Sequence, residues 1–326
     1  MANSTAVAVV GAGLIGGSIA WRLAQQAVDV MLADAGTFGG ETSRAGAGML
    51  SPGGEFETPS RWLDLGVEGM RMYPAFVREL AEESGVPIDF ALCGSKHFAD
   101  PASARRRAEV QTAAGIRVDV QPDGLFYPDD GYVNPIDMLR ALRRVSETRG
   151  VRIEEHRTIP EIDAGEFRAV VISAGAWSSR IRVTHAGRAM ELPVVEPVKG
   201  HLIGFDLDAG SLGPMLRRGH DYILQRANGF TIAGSTEEHA DFDRTVDQEV
   251  CAGIQQRASA LLPVLASRTP SARWIGFRPF SSGGPHIRRV EGSNVWLAYG
   301  HFRNGILLAP LTAARLAEEI VTQTRA

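Results

Sequence analysis

The sequence predicts an α/β fold joined to an α+β part: a parallel, βαβ-built nucleotide-binding domain assembled from discontinuous segments, with an antiparallel sheet inserted. Three observations lead there. An apolar run, Val7–Val10, enters Gly11-Ala12-Gly13-Leu14-Ile15-Gly16 and a helical stretch, and a second apolar run ends at Asp34. Between Tyr222 and Ser235 two β-rich runs flank Asn228-Gly229, a strong hairpin signal. The glycine-rich, parallel pieces lie towards both ends of the chain and the hairpin-forming pieces between them, with no Pro/Ser-rich linker and no internal repeat.

Val7–Val10 is short and wholly apolar, as a strand buried on both faces requires. Ser18–Ala27 reads as a helix and Val28–Ala33 as a second buried strand, so a parallel βαβ unit opens the fold. From Ser60 to Ser84 apolar residues recur at helical spacing (Leu63, Val67, Met70, Tyr73, Val77, Leu80), and Gly85 ends the run. Asn134-Pro135 supplies an N-cap and first-turn pair for a helix through Arg144. Val151–Glu155 and Ala169–Ser173 read as strands, and Val250–Leu262 as a helix. Arg273–Pro279 and Val295–Tyr299 are further strands, followed by a closing helix over Ile306–Val321.

Composition narrows the function classes. With 326 residues, 44 % hydrophobic and 22 % charged, the chain can bury a full core. A formal net charge of −4 provides no field to attract nucleic acid or an anionic membrane. Only Cys93 and Cys251 occur, without CxxC spacing, which argues against a disulfide framework and a zinc site; no metal is expected. The first residues lack the basic flank and cleavage site of a signal peptide. No apolar run reaches the ~20 residues of a membrane span, so a cytoplasmic location is expected.

The glycine run carries the first chemistry. Gly11 and Gly13 let the backbone turn tightly and approach a pyrophosphate, and Gly16 lets the helix pack closely on the strand. The helix N-terminus offers N–H groups and the positive end of its dipole. Asp34 falls where a carboxylate accepts from a ribose 2′-hydroxyl. The acid argues against NADP at this site and leaves NAD and FAD open.

Five further blocks bear on that choice: Gly39-Gly40-Glu41-Thr42-Ser43-Arg44-Ala45-Gly46-Ala47-Gly48-Met49-Leu50, Ser173-Ala174-Gly175-Ala176-Trp177-Ser178, Pro197-Val198-Lys199-Gly200, Trp274-Ile275-Gly276-Phe277-Arg278-Pro279 and Gly300-His301-Phe302-Arg303-Asn304-Gly305-Ile306-Leu307-Leu308-Ala309-Pro310. In this order, over nearly the whole chain, they resemble the D-amino-acid oxidase superfamily, and within it the glycine oxidases of thiamine biosynthesis. The resemblance implies a Rossmann-like FAD-binding domain (1–80, 134–195 and 273–326) and a substrate-binding domain (81–133 and 196–272). It implies non-covalent FAD, since no cysteine stands where relatives attach flavin. The implied contacts are Gly11, Gly13, Leu14, Ile15, Gly16, Asp34 and Ala35, then Thr42, Ser43, Ala47, Gly48 and Met49. Ile159, Ala174, Gly175 and Trp177 follow, and the loop His301, Phe302, Arg303, Asn304, Gly305, Ile306 and Leu307 completes the set.

For the substrate, the resemblance implies that Arg278 clamps a carboxylate and that Tyr222 donates its hydroxyl to the same group. Arg303 would stand beside flavin and substrate, and Glu55 on the side of the mouth. A carboxylate is matched by a planar two-pronged donor whose charge does not titrate, which arginine supplies. A tyrosine at the start of a hairpin strand faces one side of a sheet, where its hydroxyl can overhang a pocket.

The implied partners are a small amino-acid substrate and dioxygen or an electron carrier, and a homo-oligomer is compatible with the resemblance. The implied reaction passes a hydride from Cα to flavin N5, giving an imine that hydrolyses to keto acid and ammonia, with hydrogen peroxide from dioxygen. The alternatives are a dehydrogenase serving a carrier, the cyanide-forming glycine type included, and a redox-inactive FAD-binding module. An NAD-dependent dehydrogenase would leave the later blocks unexplained. Two departures stand out. Ser281-Ser282-Gly283-Gly284-Pro285-His286-Ile287-Arg288 replaces the family's Asp-Gly-x-Pro-x-Ile-Gly turn, expected close to the catalytic face, and residues 158–168 are too few for the family's β-meander.

Overall fold

The computed structural model describes residues 6–54 and 56–325. Strand β1 (Val7–Val10), buried throughout, leads through the glycine turn into α1 (Leu14–Gln25) and β2 (Val30–Ala33). Helix α1 starts four residues before the Ser18 boundary read from the sequence, because Gly13 caps it and Gly16 and Gly17 lie inside it, where apolar spacing is silent. The short α2 (Thr42–Ala45) and β3 (Met49–Leu50) precede the long α3 (Arg61–Ser84). The Ser60 side chain caps α3 and Gly85, left-handed at φ 68°, stops it. Next come β4 (Phe90–Ala91), β5 (Ser95–Phe98), α4 (Pro101–Ala113), β6 (Asp119–Gln121), β7 (Gly124–Tyr127) and β8 (Gly131–Val133). The Asn134 side chain caps α5 (Pro135–Thr148). After it run β9 (Arg152–Glu154), β10 (Glu161–Asp163), β11 (Ala169–Ile172), β12 (Arg182–His185) and β13 (Arg188–Ala189). The chain continues with β14 (Glu196–Asp206), β15 (Met215–Arg218), β16 (Asp221–Gln225), β17 (Phe230–Gly234) and α6 (Gln248–Ser259). It closes with β18 (Ala272–Phe280), β19 (His286–Arg289), β20 (Val295–Tyr299) and α7 (Ala309–Arg325).

The apolar strands β20, β11, β1 and β2 form the centre of a six-stranded sheet, β19-β20-β11-β1-β2-β9, whose two edge strands carry charged residues and which is parallel except for β19. Helices α1 and α7 bury one face of it with Val9, Leu23, Leu32 and Ile320, and the small sheet β10-β12-β13 closes the other. Both faces are therefore covered, which is why the four central strands show no polar alternation.

The second sheet runs β18-β14-β17-β16-β15-β5-β7-β6 and is antiparallel except between β15 and β5. Helix α6 packs on its back, with its Ile254 in one cluster with Ile203 and Ile223, and its front turns to the first sheet's side through Leu202, Leu224 and Ala47. The hairpin at Asn228-Gly229 forms, with four connecting residues: the Arg226 N–H donates to the Phe230 carbonyl, and Gly229 has φ 91°. Residues 273–280, grouped above with the cofactor domain, pair along their length with β14, from Glu196↔Phe280 to Gly204↔Ala272. A strand's own sequence does not say which sheet will accept its edge.

Among the described residues no helix is long and apolar enough to cross a membrane, and none of their His, Cys, Asp and Glu side chains cluster in threes to hold a metal ion. Cys93 and Cys251 are free.

Two histidines are buried in neutral form. Burial pushes His97 down to about 4 and His301 to about 3, against an ordinary value of 6.5. Between about pH 4 and 6.5 the unfolded chain thus holds more protons than the native one. Stability is complete above that window and falls as the pH drops through it. His97 alone accounts for about 1.4 kcal/mol per pH unit. Urea unfolding at pH 7, 6 and 5 should show the decline, and His97→Gln should flatten it by that slope.

Candidate active site

A cavity of about 920 Å³ lies between the two sheets, at the C-terminal ends of β1, β2, β11 and β20. In open parallel sheets that is where ligands bind. Gly11 sits at φ 107°, and a Cβ there would stand 2.5 Å from the Ser173 carbonyl oxygen. Helix α1 is capped by Gly13 without a side-chain hydrogen bond, and the Leu14 N–H donates to Ser43 Oγ at 2.9 Å. Asp34 accepts the Ala12 N–H and the Gly36 N–H, both at 2.8 Å, and so ties the glycine turn to the end of β2.

The opposite walls are fixed by contacts far apart in sequence. The buried Arg226 guanidinium donates to the carbonyls of Val133 (2.8 Å) and Ala47; burial lowers it to about 10, so it stays charged at neutral pH. Thr42 Oγ1 donates to the Phe277 carbonyl at 2.7 Å, and Trp274 Nε1 to the Ala45 carbonyl at 2.9 Å. The His301–Leu307 loop contains a 3-10 turn over Phe302–Asn304. It is braced by the Tyr73 hydroxyl on the Ile306 carbonyl (2.8 Å) and by Thr312 Oγ1 on His301 Nε2 (3.0 Å).

Every residue named above for the cofactor lines this cavity except Gly16. Gly16 lies behind the wall, where a Cβ would sit 1.9 Å from the Gly11 carbonyl oxygen, so it serves close helix–strand packing. Glu55 lies outside the described residues. A helix N-terminus without a side-chain cap on its N-cap residue, a glycine cradle and a carboxylate at the end of β2 fit an FAD dinucleotide on this chain's own donors.

The other end of the cavity is built on the front of the eight-stranded sheet. Arg278 rises from β18 and Tyr222 from β16, and both line the cavity. Two glycines lie between them. A Cβ on Gly200 would stand 2.2 Å from Arg278 Nη1, and one on Gly234 would stand 2.9 Å from the Tyr222 hydroxyl. The bare strands therefore let both side chains lie low across the sheet. Arg278 Nη1 donates to the Thr236 carbonyl (2.8 Å) and Nη2 to Ser235 Oγ (2.9 Å), which uses two of its five N–H groups. Burial lowers the guanidinium from its ordinary value and raises the Tyr222 phenol, which stays protonated and able to donate. Gly200→Ala should push the guanidinium aside and raise KM for a carboxylate substrate about 10-fold, the size of one charged hydrogen bond, while the FAD content is retained. A steady-state titration with a flavin spectrum checks both.

Arg303 also lines the cavity but is exposed; its Nη1 donates to His220 Nδ1 at 2.9 Å and lies 3.3 Å from Glu237 Oε1. Sequence reasoning missed Arg217, His220, Ser51 and Ser235, which line the same end. Arg217 stands directly across from Tyr222 in the β15–β16 pair, a placement that only the register reveals. The altered turn does not reach the site, because none of residues 281–288 lines the cavity. Ser281 Oγ donates to the Val194 carbonyl (2.6 Å) and meets His286 Nε2 at 2.8 Å, which packs the turn beneath Gly300. Residues 158–160 do line it, at the shortened stretch that runs into β10.

A parallel sheet whose glycine turn fits a dinucleotide, faced across the cavity by an antiparallel sheet, defines the fold of a flavin oxidoreductase. The chain belongs to the DAO family, described as FAD dependent oxidoreductase, whose profile matches residues 6–319. It is 29 % identical to the glycine oxidase of Bacillus subtilis over 97 % of this chain and 92 % of that protein. Identity to the glycine oxidase of Pseudomonas aeruginosa is 31 %, over 97 % and 94 % of the two chains. The crystal structure of glycine oxidase from Geobacillus kaustophilus superposes with a TM-score of 0.88 at 27 % identity, covering 98 % of this chain and 95 % of that one. The chain is thus an FAD-dependent, glycine oxidase-like enzyme of the amino-acid oxidase family.

Proposed function

We propose that the enzyme oxidises glycine or a related small amino acid, consuming dioxygen and water, to the keto acid, ammonia and hydrogen peroxide. Bound FAD supplies the hydride acceptor. Arg278 receives the substrate carboxylate on the N–H groups that Thr236 and Ser235 leave available, and the Tyr222 hydroxyl donates to the same group. Holding that end sets the direction of the Cα–H bond, an orientation effect that can supply ~7–11 kcal/mol of the barrier reduction. The amine reacts in neutral form; its lone pair forms the C=N bond as hydride leaves Cα, and water then releases ammonia. No side chain has to remove the Cα proton. His301 lines the cavity, but its Nε2 is engaged by Thr312 and burial keeps it uncharged, so it acts as wall.

The observation that carries this reading is the Arg278–Tyr222 pair laid over Gly200 and Gly234 in the cavity that holds the dinucleotide cradle. The test is a panel of glycine, sarcosine, small D-amino acids and proline, scored for anaerobic flavin bleaching and then for aerobic peroxide. Bleaching with peroxide is the expected result. Bleaching whose electrons reach only an added dye would make the enzyme a carrier-linked dehydrogenase, and no bleaching by any amine would make it a redox-inactive FAD-binding module.

A further inference from the structure

We propose that Arg226 acts on the flavin through the cavity wall: it fixes the Ala47–Gly48 segment beside the ring, and its buried charge stabilises the reduced state. This rests on FAD in the cavity and not on which amine is oxidised. Ala47, Gly48 and Met49 line the cavity, and Arg226 stands behind them, in the link from β16 to β17 and 6 % exposed. Its Nη1 donates to the Val133 carbonyl at 2.8 Å and its Nη2 to the Ala47 carbonyl. A Cβ on Gly48 would stand 3.1 Å from Nη2, so a single layer of backbone separates the guanidinium from the space the cofactor fills.

That layer lies at the reacting end of the cavity. Ala47 and Met49 pack in one cluster with Leu202, Tyr222 and Trp274, on the front of the sheet that carries Arg278. A hydride passes only between neighbours, so the accepting ring has to reach the substrate held on that front. Accepting it places one negative charge on the ring, and a cation behind the wall favours that state over the oxidised one. The C=O and N–H of a trans peptide point opposite ways. The Arg226 contact on the Ala47 carbonyl therefore also turns the Gly48 N–H away from Arg226, to the cavity side. The charge itself is well preserved. Burial lowers the guanidinium only to about 10, and two carbonyl dipoles solvate a cation without neutralising it. Asp89 and Asp137 offset part of its field. Asp89 is held by the Tyr132 hydroxyl (3.0 Å) and the Ala227 N–H (3.2 Å), and Asp137 is paired with Arg140 at 2.7 Å.

The reduction potential of the bound flavin is measured by equilibration with a reference dye under a slow reductant, with no amine present, in wild type, Arg226→Gln and Arg226→Lys. Glutamine keeps a donor for the carbonyls and loses the charge. It is expected to lower the site's preference for reduced over oxidised flavin about 10-fold, which is about 30 mV for a two-electron couple. Lysine keeps the charge and should hold the potential near that of wild type. An unchanged potential in Arg226→Gln overturns the proposal. So does an equal fall in both variants, which would report a displaced wall rather than a lost charge. If neither variant retains FAD, Asp89→Asn is measured instead: it leaves both carbonyl contacts and removes an opposing charge, so the potential should rise, and a level potential overturns the proposal. No amino acid enters these measurements, so failure of the substrate panel leaves the role of Arg226 standing, and a level potential leaves the amine chemistry standing.

Discussion

Replacing Arg278 by methionine is expected to raise KM for glycine by roughly 100- to 1,000-fold, the loss that follows when one partner of a buried charged pair is removed. The size follows from the setting. The carboxylate would enter a pocket where the guanidinium is largely buried and already oriented by the Thr236 carbonyl and Ser235 Oγ. Taking the cation away leaves the acid group desolvated and met only by the Tyr222 phenol. Arg278→Lys should recover little, because an ammonium cannot reproduce the two-pronged donor geometry. The dinucleotide cradle lies at the other end of the cavity, so the methionine variant should still purify yellow. Initial rates across a wide glycine range, with the flavin spectrum as control, measure both. An unchanged KM for carboxylate-bearing amines would mean that the acid group binds elsewhere.

The second large effect is expected at Gly13, where aspartate should improve the helix and abolish the cofactor. Gly13 caps α1 with an extended backbone (φ −77°, ψ −173°) and without a side-chain hydrogen bond, a position at which aspartate is favoured over glycine by a few tenths of a kcal/mol. Its Cβ would meet one flexible group, Ser43 Oγ at 2.9 Å. The carboxylate, however, would occupy the anion site that the first helical turn offers to the pyrophosphate, and juxtaposed like charges cost several kcal/mol. FAD affinity should fall at least about 100-fold, while the melting temperature of the apoprotein stays level or rises. Titrating apoprotein with FAD by fluorescence quenching, beside a thermal melt, tests the two halves separately. Retained affinity would place the pyrophosphate away from α1.

Much of the fold could be read before any coordinates because the relevant chemistry is local. The strand–glycine–helix unit, the Ser60 and Asn134 caps and the Gly85 stop all act within a few residues, so each leaves its mark in contiguous sequence. The same kind of cap starts α4, where the Asp100 side chain accepts from Ala102 and Ser103. That helix went unread because it buries little beyond Ser103, Ala104 and Gln111, and so has no apolar stripe. The position of β18 was beyond reach for a different reason. Its place beside β14 is set by cross-strand pairing with a partner some seventy residues away.

By itself, then, the sequence determined the dinucleotide cradle and the buried central strands, and it singled out the arginine to which the family resemblance points. Only the tertiary structure decided which side chains share the pocket with it. Gly200 and Gly234 are isolated strand glycines until the register lays Arg278 and Tyr222 across them. Arg217 is one arginine among many until pairing sets it opposite Tyr222. The wall is likewise closed by Thr42 reaching Phe277 across 235 positions. Backbone turns and caps depend on neighbours in the chain, whereas a pocket depends on which strands meet and in what register, and that is settled only when the whole core packs.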